Sequence, residues 1–236
     1  ESVSLYFEEE PIFSCLTAAA CATEETESVS GDSYSFLETD DSVAMILSDG
    51  VGSGESAARD SGRIVDLTER ILDAGLGPDM AMLFLNGMAG AEGDENRMAT
   101  LDLCRIDLYR GECETVKAGG AAGFIKRSDR VEKIQSRQLP LGMSASEDIS
   151  EKKWQLNSGD LVILVSDGVV QNWPCGDGEY LLEQKIASLN VSSPVDLANL
   201  ILRYAIRQCG GKIRDDMTVL VTGIWKNEER EIEDIE

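Results

Sequence analysis

The tripeptide Ser-Asp-Gly occurs twice in this chain, as Ser48-Asp49-Gly50 and Ser166-Asp167-Gly168, each time directly after an apolar run, "AMIL" and "LVILV". Two further acidic signals stand at the other end of strand-like runs, directly before them: Asp32 in "GDS", and the doublet Asp215-Asp216 ahead of "MTVLVTGIW". A carboxylate at the end of a strand has three ordinary uses: a turn or helix cap, a phosphate-binding loop, or a metal ligand. The phosphate loop is the weakest for Asp49, because Gly52-Ser53-Gly54 runs into Glu55 where such a loop needs lysine and then serine or threonine. A cap suits any single Asp, since Asp and Gly are ordinary turn residues. It suits the whole set less well. Like charges with no His, Lys or Arg in their motifs either protonate in part or bind cations, and all-oxygen ligation selects Mg²⁺ or Mn²⁺, with Ca²⁺ possible. The glycines after Asp49 and Asp167 allow close backbone approach and can expose a carbonyl as a further ligand.

Bulk properties narrow the chemistry further. The chain has 236 residues, a net charge of −23 and no histidine. That length suits one largish domain with a single sizeable core. The charge argues against nucleic acid, which needs clustered Lys and Arg. The lack of histidine removes Ser-His-Asp triads and most zinc sites. No apolar run approaches the ~18 residues of a membrane helix. Six cysteines stand without a C-x-x-C pair, so a reduced, cytoplasmic, soluble domain is expected.

The elements that must position the carboxylates follow from periodicity. Residues 3–22 read as a strand pair. A hairpin has arms near Ser33–Leu37 and Val43–Leu47, with a polar turn at Thr39–Ser42. Asp32 precedes the first arm and Asp49 follows the second, so the turn brings both to one end of a sheet. Ala57/Ala58, Ile64/Val65 and Ile71/Leu72 lay a stripe along a helix over 53–73, and Gly77-Pro78-Asp79 starts a second helix. "MATLDLCRIDLY" and "CETVKAGGAAGFIKR" alternate as two antiparallel strands, followed by shorter arms at "RVEKIQSRQLPLGM" and "DISEKKWQL". "LVILV" reads as a central strand, helices follow over 179–189 and 194–208, and "MTVLVTGIW" is the last strand. Residues 1–227 then form one domain and the acidic residues 228–236 a frayed tail. This order predicts an α+β fold, two facing antiparallel sheets with a helix pair on each outer side. Lys117, Lys126 and Arg127 read as solvated strand-edge charge, with steering of a phosphoprotein as the alternative. Trp154, Trp173 and Trp225 read as core or sheet-face residues rather than a binding platform.

In this order "GDSYS", "SDGVGSGESA", "TLDL", "KAGGAAGFIKR", "LPLGM", "GDLVILVSDGV" and "DDMTVLV" resemble the stage II sporulation protein E phosphatases, in the bacterial branch of the metal-dependent type 2C serine/threonine phosphatases. The resemblance implies a four-layer αββα sandwich and two divalent cations, Mn²⁺ or Mg²⁺. Carried over by motif, Asp49 would bridge both cations, the Gly50 carbonyl and Asp32 would serve one, and Asp167 and Asp215 the other; the doublet leaves Asp216 as the rival to Asp215. It also implies a phosphorylated anti-anti-sigma factor as partner, regulation through switch helices with a possible homodimer there, and a soluble cytoplasmic domain cut from a membrane-anchored parent. Two cations would acidify a shared water from a pKa of ~15.7 towards neutrality and clamp the phosphoryl oxygens. The hydroxide would attack a phosphoserine monoester in line, and with no histidine the leaving oxygen would take its proton from metal-bound water. The alternatives are a catalytically weak regulatory module of the same fold and a calcium-stabilised structural domain.

Overall fold

The computed structural model describes residues 9–91, 99–135, 139–143, 151–171, 173–174 and 176–228. Ten strands and four helices follow in the order β1 (Phe13–Ala22), β2 (Asp32–Glu38), β3 (Ser42–Asp49), α1 (Gly54–Asp73), α2 (Pro78–Ala91), β4 (Leu101–Asp107), β5 (Glu112–Ala118), β6 (Gly123–Lys126), β7 (Val131–Ile134), β8 (Lys152–Gln155), β9 (Leu161–Val165), α3 (Gly178–Ser188), α4 (Pro194–Gln208) and β10 (Met217–Lys226). One sheet has the order β1-β10-β9-β6-β7 and the other β2-β3-β4-β5-β8. All neighbours are antiparallel.

Period-two alternation decides which residues each sheet buries on which side. On β3, Met45 and Leu47 meet Val162, Leu164, Leu220 and Ile224 between the sheets, while Ala44 and Ile46 face α1 and α2. On β9 the other parity, Leu161, Ile163 and Val165, packs beneath α3 and α4. That strand is apolar throughout because both of its faces are buried. The four layers expected from the element order are therefore present, with α1 and α2 outside one sheet and α3 and α4 outside the other.

Several details differ from the sequence reading. The strand pair expected over 3–22 reduces to β1 among the described residues, its upstream arm lying outside them, and β1 pairs with β10. "CETVKAGGAAGFIKR" is two strands in different sheets. Between them Gly119 and Gly120 take φ of +69° and +72°, a left-handed region that only glycine adopts cheaply. The alternation continues on both sides of the break and so conceals it. On α1 the face against the sheet is Ala57, Ser61, Val65, Thr68 and Leu72, whereas Ile64 and Ile71 are only partly buried. The acidic tail beyond Glu228 lies outside the described residues.

Lys117 and Arg127 are buried, contrary to the surface role expected of them. Lys117 stands opposite Asp102 in the β4–β5 register, and its Nζ lies 2.5 Å from Asp102 Oδ1. Burial pushes the Asp102 carboxyl up to about 6, with Lys117 pulling the other way. Arg127 reaches Asp160 at 2.5 Å, Glu132 at 2.8 Å and the Gln155 carbonyl at 3.1 Å. Asp102 and Asp160 are distant in sequence from the cations they neutralise, so strand-local patterning could not reveal them. Lys117→Met should cost about 3–5 kcal/mol in urea unfolding, because it strands the Asp102 charge; Lys117→Met with Asp102→Leu should cost much less. Equal losses in the single and double variants would show that the pair's charge balance is irrelevant.

Candidate metal centre

Asp32 and Asp49 are direct register partners on β2 and β3. Both share strand parity with Phe36 and Leu47, which pack between the sheets, so both carboxylates point into the end of the inter-sheet space. Asp49 is held through its backbone: its N–H donates to Thr100 Oγ1 at 3.0 Å and its carbonyl accepts the Thr100 N–H at 2.8 Å. Ser48 donates its hydroxyl to the Thr100 carbonyl at 2.7 Å.

The other sheet repeats the device. Asp167 opens a single 3₁₀ turn directly after β9. Ser166 donates its N–H to the Thr218 carbonyl at 3.0 Å and accepts the Thr218 N–H on Oγ at 2.9 Å. In both copies of Ser-Asp-Gly the serine ties the strand end to its neighbour and the Asp projects. The glycines are required by close approach. A Cβ on Gly50 would run into the Ala57 carbonyl in the first turn of α1, and one on Gly168 into the Asp216 carbonyl.

The doublet resolves into two different jobs. Asp216 is buried; its Oδ2 accepts the Gly31 N–H at 2.6 Å and its Oδ1 the Glu24 N–H at 2.9 Å. One carboxylate thus closes the loop that delivers Asp32, with both oxygens engaged. Asp215 faces Asp167 instead: burial, then the Asp167 charge, raise its pKa.

Asp32, Asp49, Asp167 and Asp215 are therefore brought together without a cationic side chain among the causes of their shifts. Burial pushes the Asp32 carboxyl up to about 7; the nearby Ser166 and Thr218 side chains lower it, and Asp216 and Asp167 add to the rise. Asp49 is raised well above the carboxylate range by burial, then by the charges of Asp32 and Asp167. Both carboxylate oxygens of Asp32 are buried with no hydrogen-bond partner. Among the described residues no three acidic or cysteine side chains already close around one point, so the cluster is open. Unpartnered, oxygen-only acceptors beside three more carboxylates fit a hard divalent cation, which takes oxygen ligands alone.

Two contributors escaped the sequence reading. Gln171 donates Nε2–H to Asp167 Oδ2 at 2.6 Å; its four-residue spacing from Asp167 was the available signal. Thr100 carried none, because its role depends on pairing across β3 and β4. Beside this cluster, Gly120, Ala121, Asp167, Gln171, Asp177 and Glu179 line an open depression of about 340 Å³.

Comparison with known proteins places these motifs in a family. The model for stage II sporulation protein E matches residues 39–224. Stage II sporulation protein E of Bacillus subtilis is 36% identical over 213 residues, 89% of this chain and 26% of the relative, so the chain spans about a quarter of that protein's length. Phosphoserine phosphatase RsbU of B. subtilis is 24% identical over 200 residues, covering 82% of this chain and 59% of RsbU. The solved PP2C phosphatase domain of B. subtilis SpoIIE, with a fragment of its regulatory domain, superposes with a TM-score of 0.86 at 34% identity, covering 92% of this chain and 64% of that one.

Thermal melting of the metal-free protein against pH tests the electrostatics. The folded pKa of Asp32 is raised to about 7 above an ordinary ~3.9. Its contribution is thus fully present below pH ~4 and lost as pH rises through 7. Stability in EDTA should fall as pH rises from about 4 to about 7. Asp215→Asn should raise the metal-free melting temperature by relieving repulsion, whereas Asp216→Asn should lower it by loosening the loop clamp. The reverse order would exchange the two assignments.

Proposed function

The chain belongs to the stage II sporulation protein E family, and from that premise we propose that it is a metal-dependent serine/threonine phosphoprotein phosphatase. The observation that carries this reading is the buried, unpartnered carboxylate of Asp32 directly opposite Asp49. In this reading two divalent cations, Mn²⁺ or Mg²⁺, would be held by these residues, with Asp49 shared between them, Asp32 and the Gly50 carbonyl serving one and Asp167 and Asp215 the other. The bound cations supply charge neutralisation for the phosphoryl oxygens and acidify water.

The chain's own residues supply placement. The β2–β3 register holds Asp32 and Asp49 side by side, Thr100 and Ser48 fix the end of β3, and Gln171 orients Asp167. Glycine at 50 lets the first turn of α1 pack directly on the ligand loop, so the Gly50 carbonyl is positioned by that helix. No histidine is present to donate a proton; the leaving oxygen must be protonated from water.

The partner in this reading is a phosphorylated anti-anti-sigma factor bearing phosphoserine. RsbU, which carries the name phosphoserine phosphatase, supports that choice of residue. A homodimer through the switch helices is the accompanying proposal: α2 presents Leu83, Phe84 and Met88 outward, where a second copy would cover them.

Release of phosphate from a phosphoserine protein with added Mn²⁺ is the test. Turnover should vanish in EDTA and return with Mn²⁺. Asp49→Asn should lower kcat at least ~10³-fold, the scale of losing a main electrostatic group at the reacting centre, and should also abolish the rise in melting temperature that Mn²⁺ gives by mass action. A variant that kept a tenth of the wild-type rate would refute the bridging role. Calcium supporting the same melting shift with no hydrolysis under any metal would favour a structural domain.

A further inference from the structure

The depression beside Asp167 has features that the phosphate chemistry does not require. One wall is the Gly119–Ala122 crossover between β5 and β6; the other is the start of α3, with Asp177 and Glu179. Both walls are preformed. Glu179 accepts the Ala122 N–H at 2.9 Å and pairs with Lys133 at 2.6 Å, which staples α3 to the crossover. On the inner side Gly120 lies against the buried Asp102: a Cβ there would stand 3.2 Å from Asp102 Oδ2. A volume of about 340 Å³ is at the small end of ligand-site sizes, enough for one long side chain and the backbone that carries it.

The charges lining this space are unevenly balanced. Glu179 is neutralised by Lys133, and Asp167 is held by Gln171 and directed at the carboxylate cluster. Asp177 is exposed, and among the described residues its Oδ1 is engaged only by the Tyr180 N–H, at 3.2 Å, as the N-cap of α3. Among the described residues no Lys or Arg lines the depression. The α3 N-terminus carries roughly half a positive charge, less than the full negative charge of Asp177.

Resting on the phosphatase reading above, we propose that this depression seats the substrate polypeptide next to the phosphoserine, and that Asp177 selects a lysine or arginine side chain there. A chain whose phosphoseryl group lies over the carboxylate cluster passes Asp167 into this space, because Asp167 belongs to both. The protein's net charge of −23 acts in the same direction by attracting cationic segments. Asp177 is a binding residue in this account and touches no reacting atom.

The experiment uses the chain with Mn²⁺ and a set of phosphoserine peptides that differ only in carrying Arg, Ala or Glu at each position flanking the phosphoserine, with p-nitrophenyl phosphate as a substrate lacking flanks. At one flanking position kcat/KM should follow Arg above Ala above Glu, with about a threefold to fivefold step for the Arg peptide, the scale of an exposed ion pair. The step should shrink at high salt. Asp177→Asn and Asp177→Ser cap a helix as Asp does, so they should melt as the wild type does while bringing the Arg-to-Glu ratio close to one. A ratio near one in the wild type at every position, or a ratio kept in both variants, overturns the proposal while leaving the phosphatase reading intact. If neither peptides nor p-nitrophenyl phosphate is hydrolysed with any divalent metal, the phosphatase reading fails and this proposal fails with it.

Discussion

Mutual repulsion among carboxylates at one end of the inter-sheet space is the constraint on which the rest of the structure depends. Two unit charges ~4 Å apart at an effective dielectric of about 20 repel by roughly 4 kcal/mol, and Asp32, Asp49, Asp167 and Asp215 influence one another through several such contacts. Elsewhere in the molecule buried charge is balanced locally, as in Lys117 with Asp102 and Arg127 with Asp160. At the cluster no such partner is supplied among the described residues, and the backbone bears the load. The serines of both Ser-Asp-Gly segments are bonded across to neighbouring strands, and the loop before Asp32 is closed by Asp216. A set of acids held this firmly against its own charge is prepared for cations from outside.

Helix α1 is bound into the same arrangement. Its first turn packs on Gly50, and Ser53, at the cap position, donates its hydroxyl to Glu27 instead of capping the helix. Along the sheet it buries mostly small or polar residues and touches β2 through Ser61 to Ser33 and Glu69 to Ser35. Much of its apolar contact goes sideways into the layer it shares with α2. The helix nearest the cluster is therefore secured to the sheet by hydrogen bonds to β2 as well as by the apolar contacts of Val65 and Leu72.

Much of this was legible in the sequence because it is local. The hairpin around Thr39–Ser42, the apolar run of β9 and the caps of α4 each announce themselves within a few residues, and the repeated Ser-Asp-Gly marked the strand ends. What escaped notice depends on pairing between distant segments. The Gly119-Gly120 crossover hides within one continuous alternation. Lys117 looks like surface charge until Asp102 is placed opposite it. The choice between Asp215 and Asp216 turns on which carboxylate meets the Gly31 and Glu24 amides, and no property of the two adjacent aspartates distinguishes them beforehand.

The Asp216 clamp has a consequence for biosynthesis. It joins Gly31 to a residue 185 positions later, and among the described residues β1 pairs with β10 alone. On a ribosome the hairpin bearing Asp32 and Asp49 emerges early, yet the clamp on the loop feeding Asp32 cannot form until Asp216 has been translated. Contacts of such long sequence separation form late because loop closure must come first. A nascent or prematurely terminated chain therefore carries two of the acids without the frame that holds them, and competence arrives only as synthesis of the domain ends.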